Sequence, residues 1–129
     1  MDNQEFTKDK SYITGRLKSI QFAVRGAMLL ARNEHSVITQ MGIGLLCAIA
    51  GFYFEITLHE WMLQVMAIGL VLAIEGLNTA VEKLCDFVHP GYHDKIGVIK
   101  DLAAGAVMFA AIAAITIGCL IYIPKILAL

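Results

Sequence analysis

Cysteine is scarce in this chain and follows no ligand pattern. Cys47, Cys85 and Cys119 form an odd, widely spaced set without CxxC or Cys/His spacing, so neither a disulfide framework nor a structural zinc site is expected. Basic tracts are missing as well. Ten Lys and Arg stand against eleven Asp and Glu, for a formal net charge of -1, which argues against nucleic acid as a partner. There is no GxxxxGK[ST] loop and no protein-kinase glycine-rich loop with its catalytic-loop motif. Any use of a nucleotide must therefore lie outside the common nucleotide folds. The first dozen residues are polar and lack an apolar core, so no cleavable signal peptide is expected. No internal repeat or low-complexity tract stands out, and no charge at all occurs between Val37 and Phe54.

What is present is apolar surface. Hydrophobic residues make up 58% of the 129, above the roughly half that is usual in a soluble domain, and they are concentrated in three blocks. The pattern predicts an all-α membrane protein. Residues 37–54, 61–85 and 102–123 are expected to be transmembrane helices, each long enough to cross the hydrocarbon core. Trp61 sits where an interfacial aromatic anchor belongs. His89-Pro90-Gly91 marks a turn within a polar loop over 87–99, and Pro124 is expected to stop the third span. Before these blocks, residues 11–32 have a helical, amphipathic pattern. Ile13, Leu17, Ile20, Val24, Met28 and Ala31 recur at three- and four-residue steps, with Lys18, Arg25 and Arg32 on a neighbouring face. Beside membrane spans, such a helix is expected to lie at the headgroup level.

Lysine and arginine placement predicts orientation. The amino-terminal segment carries Lys8, Lys10, Arg16, Lys18, Arg25 and Arg32, the second loop region Lys83, Lys95 and Lys100, and the first loop none. The amino terminus and second loop should be cytoplasmic and the carboxy terminus outside. In the third span Ala106, Ala110, Ala114 and Gly118 recur every four residues, and Gly69, Ala73 and Gly76 provide small residues in the second. Such ridges let helices pack closely in lipid. Three spans make a thin bundle, so a homo-oligomer is expected.

The stretch Ala73–Asp86 organises the chain. With Glu75 at zero and about 100° per residue, Asn78 falls at about 300°, Thr79 at about 40°, Glu82 at about 340° and Asp86 at about 20°. All five share one face, while Leu72, Ile74, Leu77, Ala80, Val81 and Leu84 make the opposite face apolar. An ionised carboxylate facing lipid costs several kcal/mol, about 3 or more. The stripe must therefore face protein, water or a cation. Glu82, Asp86, Lys100, Asp101 and Glu34 all fall on the cytoplasmic side of the predicted topology. Hard oxygen ligands of this kind suit magnesium, which takes one or two carboxylates plus substrate phosphates. Lys100, near the expected start of a helix, adds a cation where the helix dipole already favours an anion. Glu75 lies about 10 Å deeper than Glu82, in a less hydrated setting that suits a general base acting on a buried hydroxyl. A non-enzymatic ion-binding scaffold or small transporter would also carry such a stripe. It would not require Lys100, Asp101 and Glu34 on the same side as Glu82.

The same residues carry a resemblance. Glu75-Gly-Leu-Asn-Thr-Ala-Val-Glu82, followed by Asp86, resembles the E-x-x-N-[ST]-A-[IV]-E-x-x-x-D signature of the small bacterial diacylglycerol kinase and undecaprenol kinase family. Lys100-Asp101 with the Ala103-Ala-Gly-Ala-Val107 run behind it is similar to the second hallmark, and Ala31-Arg-Asn-Glu34 and Arg16-Leu-Lys-Ser19 match upstream. The resemblance implies a homotrimer in the bacterial cytoplasmic membrane, with active sites shared between neighbouring subunits. It implies magnesium-dependent transfer of the ATP γ-phosphoryl to the hydroxyl of a membrane lipid alcohol, diacylglycerol or undecaprenol. Glu75 then matches the general base, Glu34 and Glu82 the metal ligands, and Asn78 a residue supporting that centre. Lys100 matches the phosphate contact, and Asp86, His93 and Asp101 match positions lining the nucleotide site. Arg16 and Lys18 are the basic residues available to the nucleotide from the first helix, although Gly15 stands where many members have an arginine. The run after Asp101 is closer to undecaprenol kinase-like members.

Overall fold

The computed structural model describes the backbone of residues 2–129 and the side chains of 11–129. Its elements are α1 (Asp2–Asn33), α2 (His35–Tyr53), α3 (Leu58–Val88) and α4 (Asp94–Leu127), with no strand among the described residues. The chain divides into two units, residues 1–34 and 35–129.

The first unit is α1 and the residue after it. Arg16 is tied along the helix to Tyr12, its Nε and Nη2 donating to the phenol oxygen at 3.2 and 3.1 Å. Ser19 Oγ donates to the Gly15 carbonyl at 2.9 Å, the local bond by which a helical serine satisfies its hydroxyl.

In the second unit, α2, α3 and α4 are each long and apolar enough to cross a membrane. α3 is the central element, packed along α4 and, less extensively, against α2. It begins at Leu58, three residues before the expected Trp61, because Thr57-Leu-His-Glu60 caps it. Thr57 Oγ1 accepts from the Glu60 N–H at 3.2 Å and donates to Glu60 Oε1 at 3.2 Å, occupying an N–H that the helix leaves without a partner. The reversal from α2 is tight, with Glu55 at φ 51, a left-handed conformation that non-glycine residues adopt at some cost.

The close approach of α2 to α3 depends on two glycines that the small-residue ridges did not include. A Cβ on Gly44 would lie 3.1 Å from Ile68 Cγ2, and one on Gly51 only 2.7 Å from Trp61 Cη2 and 3.1 Å from Ile56 Cδ1. The Trp61 ring is packed over Gly51 and against Phe52, with ring centroids 4.8 Å apart. Gly51→Ala is therefore expected to lower stability by about 1–3 kcal/mol, the usual cost of overpacking. Thermal unfolding in detergent checks this, since an unchanged midpoint would mean that the indole swings aside freely. Of the expected ridges, Ala110 is buried, but Gly69 and Gly118 have open space where a Cβ would stand. Within one chain they make no close helix contact.

α4 differs from expectation at both ends. It begins at Asp94, eight residues before Leu102, because His93 is its N-cap and its Nδ1 accepts from the Lys95 N–H at 3.1 Å. The connection from α3 is thus only His89–His93. Nor does Pro124 end the helix, which continues to Leu127. A proline this near the end removes only one late hydrogen bond. The last turn is also held from α3, with Lys125 Nζ 2.9 Å from Glu60 Oε2 and 3.2 Å from Oε1.

Candidate active site

Part of the polar face of α3 turns into the bundle. Gln64, Ala67, Val71, Glu75 and Thr79 are buried at successive three- and four-residue steps, the period of one helix face. Glu75 is only 7% exposed and Thr79 only 4%. No hydrogen bond or ion pair engages the Glu75 carboxylate among the described residues. A carboxylate on a buried residue with no partner of its own is free to exchange a proton with a bound hydroxyl, which makes it a candidate for acid–base chemistry.

One turn further on, Asn78 is half-buried. Its Nδ2 donates to Glu82 Oε1 at 3.2 Å, while its carboxamide oxygen is buried with no hydrogen-bond partner. Glu82 and Asp86 are exposed, where α3 nears its end. Lys100, from the second turn of α4, donates to Asp86 Oδ1 at 2.6 Å, joining the two helices beside the stripe. Because α4 starts at Asp94, Lys100 is not at a helix N-terminus. The dipole acts mainly within the first turn, so the cation there relies on its own charge.

His89 and His93 pack edge to face across the connection, centroids 5.2 Å apart. His89 Nδ1 is 2.9 Å from the Gly91 carbonyl oxygen and donates to it. The capping bond occupies His93 Nδ1, which leaves Nε2 as the ring nitrogen available to a ligand. Asp101 is exposed on α4. The structure thus brings Asn78, Glu82, Asp86, His93, Lys100 and Asp101 toward the adjoining ends of α3 and α4, with Glu75 deeper, midway along α3. Arg16, Lys18 and Glu34 belong to the first unit.

Among the described residues no three His, Cys, Asp or Glu side chains form a ready metal cage. Asn78 Oδ1 and the Glu82 carboxylate fit a different need. They offer an orphaned amide oxygen and a neighbouring carboxylate to a hard ion that completes its shell with water and substrate oxygens.

A second polar group lies about three turns from Glu75 at the other end of α3, and sequence reasoning passed over it. Gln64 is only 5% exposed. Its Nε2 donates to the Cys47 carbonyl at 3.1 Å. The Tyr122 hydroxyl is shared between the same carbonyl, at 3.0 Å, and Gln64 Oε1. The signal was present, since Gln64 falls at about 340° on the Glu75 scale, in line with the carboxylates.

This arrangement has known relatives. The profile of the prokaryotic diacylglycerol kinase family matches residues 21–122, most of the chain. The chain belongs to that family. It is 36% identical over 109 residues to the undecaprenol kinase of Bacillus subtilis (strain 168), covering 84% of this chain and 89% of that protein. With the diacylglycerol kinase of Escherichia coli (strain K12) it shares 26% identity over 106 residues, 81% of this chain and 86% of the relative. A diacylglycerol kinase of Synechocystis is 46% identical over 61 residues, 46% of this chain but 35% of that longer protein. The protein is accordingly a membrane-embedded lipid kinase, and a non-enzymatic scaffold is not favoured.

Proposed function

We propose that this kinase moves the γ-phosphoryl of ATP to the hydroxyl of a single membrane lipid alcohol, undecaprenol first and diacylglycerol second. The order follows the greater identity to the Bacillus enzyme. The observation that carries the mechanism is the buried Glu75 carboxylate, on the face of α3 that also holds Asn78, Glu82 and the Asp86–Lys100 pair. Glu75 takes the proton from the lipid hydroxyl as that oxygen bonds to the γ-phosphorus. The bond from the γ-phosphorus to the bridging oxygen breaks and ADP departs with that electron pair. Such transfer needs positioning and charge stabilisation more than covalent help.

Glu34 and Glu82 are the proposed magnesium ligands, with Asn78 supporting that centre. Bound there, magnesium supplies charge neutralisation for the phosphates. Lys100 leaves Asp86 to meet a phosphate oxygen, and Asp86, His93, Asp101, Arg16 and Lys18 line the nucleotide site. The active centre and amino terminus face the cytoplasm across the bacterial inner membrane and the carboxy terminus lies outside, in keeping with the Lys and Arg distribution. α1 lies along the membrane surface. A homotrimer with sites shared between neighbours is in keeping with the resemblance and with the thinness of a three-helix unit.

Chelation tests the proposed metal. Removing divalent cations from the purified kinase should stop lipid phosphorylation, and magnesium should restore it. Full-rate transfer in excess chelator would contradict the assignment of Glu34 and Glu82.

A further inference from the structure

α2 and α4 barely touch, so α3 floors a groove between them. Its volume is about 330 Å³, at the small end of the range of about 300–1,000 Å³ for small-molecule sites. The floor is Gln64, Ala67, Ile68 and Val71, the same stripe that continues one turn later to Glu75. Antiparallel register fixes the depth. Asp86 with Lys100 at one end and Glu60 with Lys125 at the other set Ala111, a wall residue, opposite Glu75. On α4 the groove therefore reaches the level of Glu75, while its floor on α3 ends at Val71, one turn short of that residue, and runs about 10 Å, at 1.5 Å per residue, to Gln64. There the Tyr122–Gln64–Cys47 bonds close it. Apart from Gln40 on α2 and Tyr122 at the plug, its walls are aliphatic or small, and none of its lining side chains is charged.

We infer that this groove holds the proximal part of the acceptor's hydrocarbon chain, with the Gln64–Tyr122 plug as a stop that measures chain length. This rests on the proposed phosphoryl transfer, because the occupant is chosen by the groove's continuity with Glu75. A hydroxyl set at Glu75 brings its chain to the mouth of the groove, one turn away along the stripe. The volume takes one narrow chain, so a single-chain alcohol enters more readily than two acyl chains side by side. At the plug, a longer chain must leave the groove, since the alternative is to break two hydrogen bonds in an apolar setting.

Gly118 lines the middle of the groove and has open space at its Cβ position, so Gly118→Leu fills the groove without a clash. The full-length kinase in mixed micelles would be given a chain-length series of alkyl alcohols sharing one headgroup, and labelled with a diazirine-bearing long-chain alcohol. Gly118→Leu should raise the KM for long-chain acceptors about tenfold. The KM for ATP and turnover of the shortest acceptors should not change. The wild-type label should map to residues 111–122, be competed by unlabelled long-chain alcohol, and fall in the variant. Tyr122→Phe, which removes the hydroxyl's bonds to Cys47 and Gln64 and so loosens the plug, should shift preference toward longer chains. Labelling confined to other segments, or unaltered by Gly118→Leu, would overturn the inference. So would an equal loss for all acceptors with a changed oligomeric state, because the groove would then be a contact between copies. If the label maps and competes as expected but no alcohol is phosphorylated, the groove stands and the proposed transfer fails.

Discussion

Glu75→Gln is expected to reduce lipid phosphorylation by about 10²–10⁴-fold, the range that a positioned general base contributes, while the variant still inserts and assembles. The carboxylate lies buried on α3 with no hydrogen bond or ion pair among the described residues, so folding does not depend on it. Glutamine breaks no hydrogen bond or ion pair there, so thermal stability should hold as activity is lost. A residue kept for packing would show the reverse. Glutamine has nearly the same shape, so a large loss of stability in Glu75→Gln would assign the side chain to structure. The magnesium requirement and the KM for ATP should be unaltered. Retained turnover in the purified variant would remove Glu75 from the mechanism.

The second large effect concerns Lys100. It is held at 2.6 Å by Asp86, in an exposed pair that contributes little to stability. Lys100→Met should consequently leave unfolding almost unchanged but lower kcat/KM by about 100-fold, as expected for loss of a group that stabilises developing phosphate charge. Asp86→Asn separates the two functions of the pair. It frees the ammonium and should lower the KM for ATP if Asp86 competes with phosphate for Lys100. Should Lys100→Met keep wild-type kinetics, the ion pair would be structural and the nucleotide would have to bind elsewhere.

The polar stripe of α3 was legible because the physics of a membrane span makes polar residues conspicuous. Five polar side chains on one face of an otherwise apolar helix had to face protein, water or a cation; Glu75 and Thr79 are buried, while Glu82 and Asp86 are exposed near the end of the helix. Helix ends were less legible. The cap at His93 uses an imidazole nitrogen where Ser, Thr, Asp or Asn is the usual signal, so α4 was expected eight residues late. Pro124 was expected to stop the helix, but the ion pair between Lys125 and Glu60 is a long-range contact that no local rule reveals. Within one chain the closest helix approach fell on other glycines, Gly44 and Gly51. Spacing identifies where helices can approach, but only the partner's side chains, Trp61 and Ile68 here, determine where they do. Gln64 went unnoticed because a lone amide in an apolar run has no motif, although it lies in line with the carboxylates.

The most direct test is transfer from labelled ATP by the purified chain in mixed micelles, with diacylglycerol and undecaprenol offered separately, with and without magnesium. The account predicts magnesium-dependent labelling, stronger with undecaprenol and lost in Glu75→Gln. Folded protein that labels neither lipid, or that labels one equally well without Glu75, would contradict it.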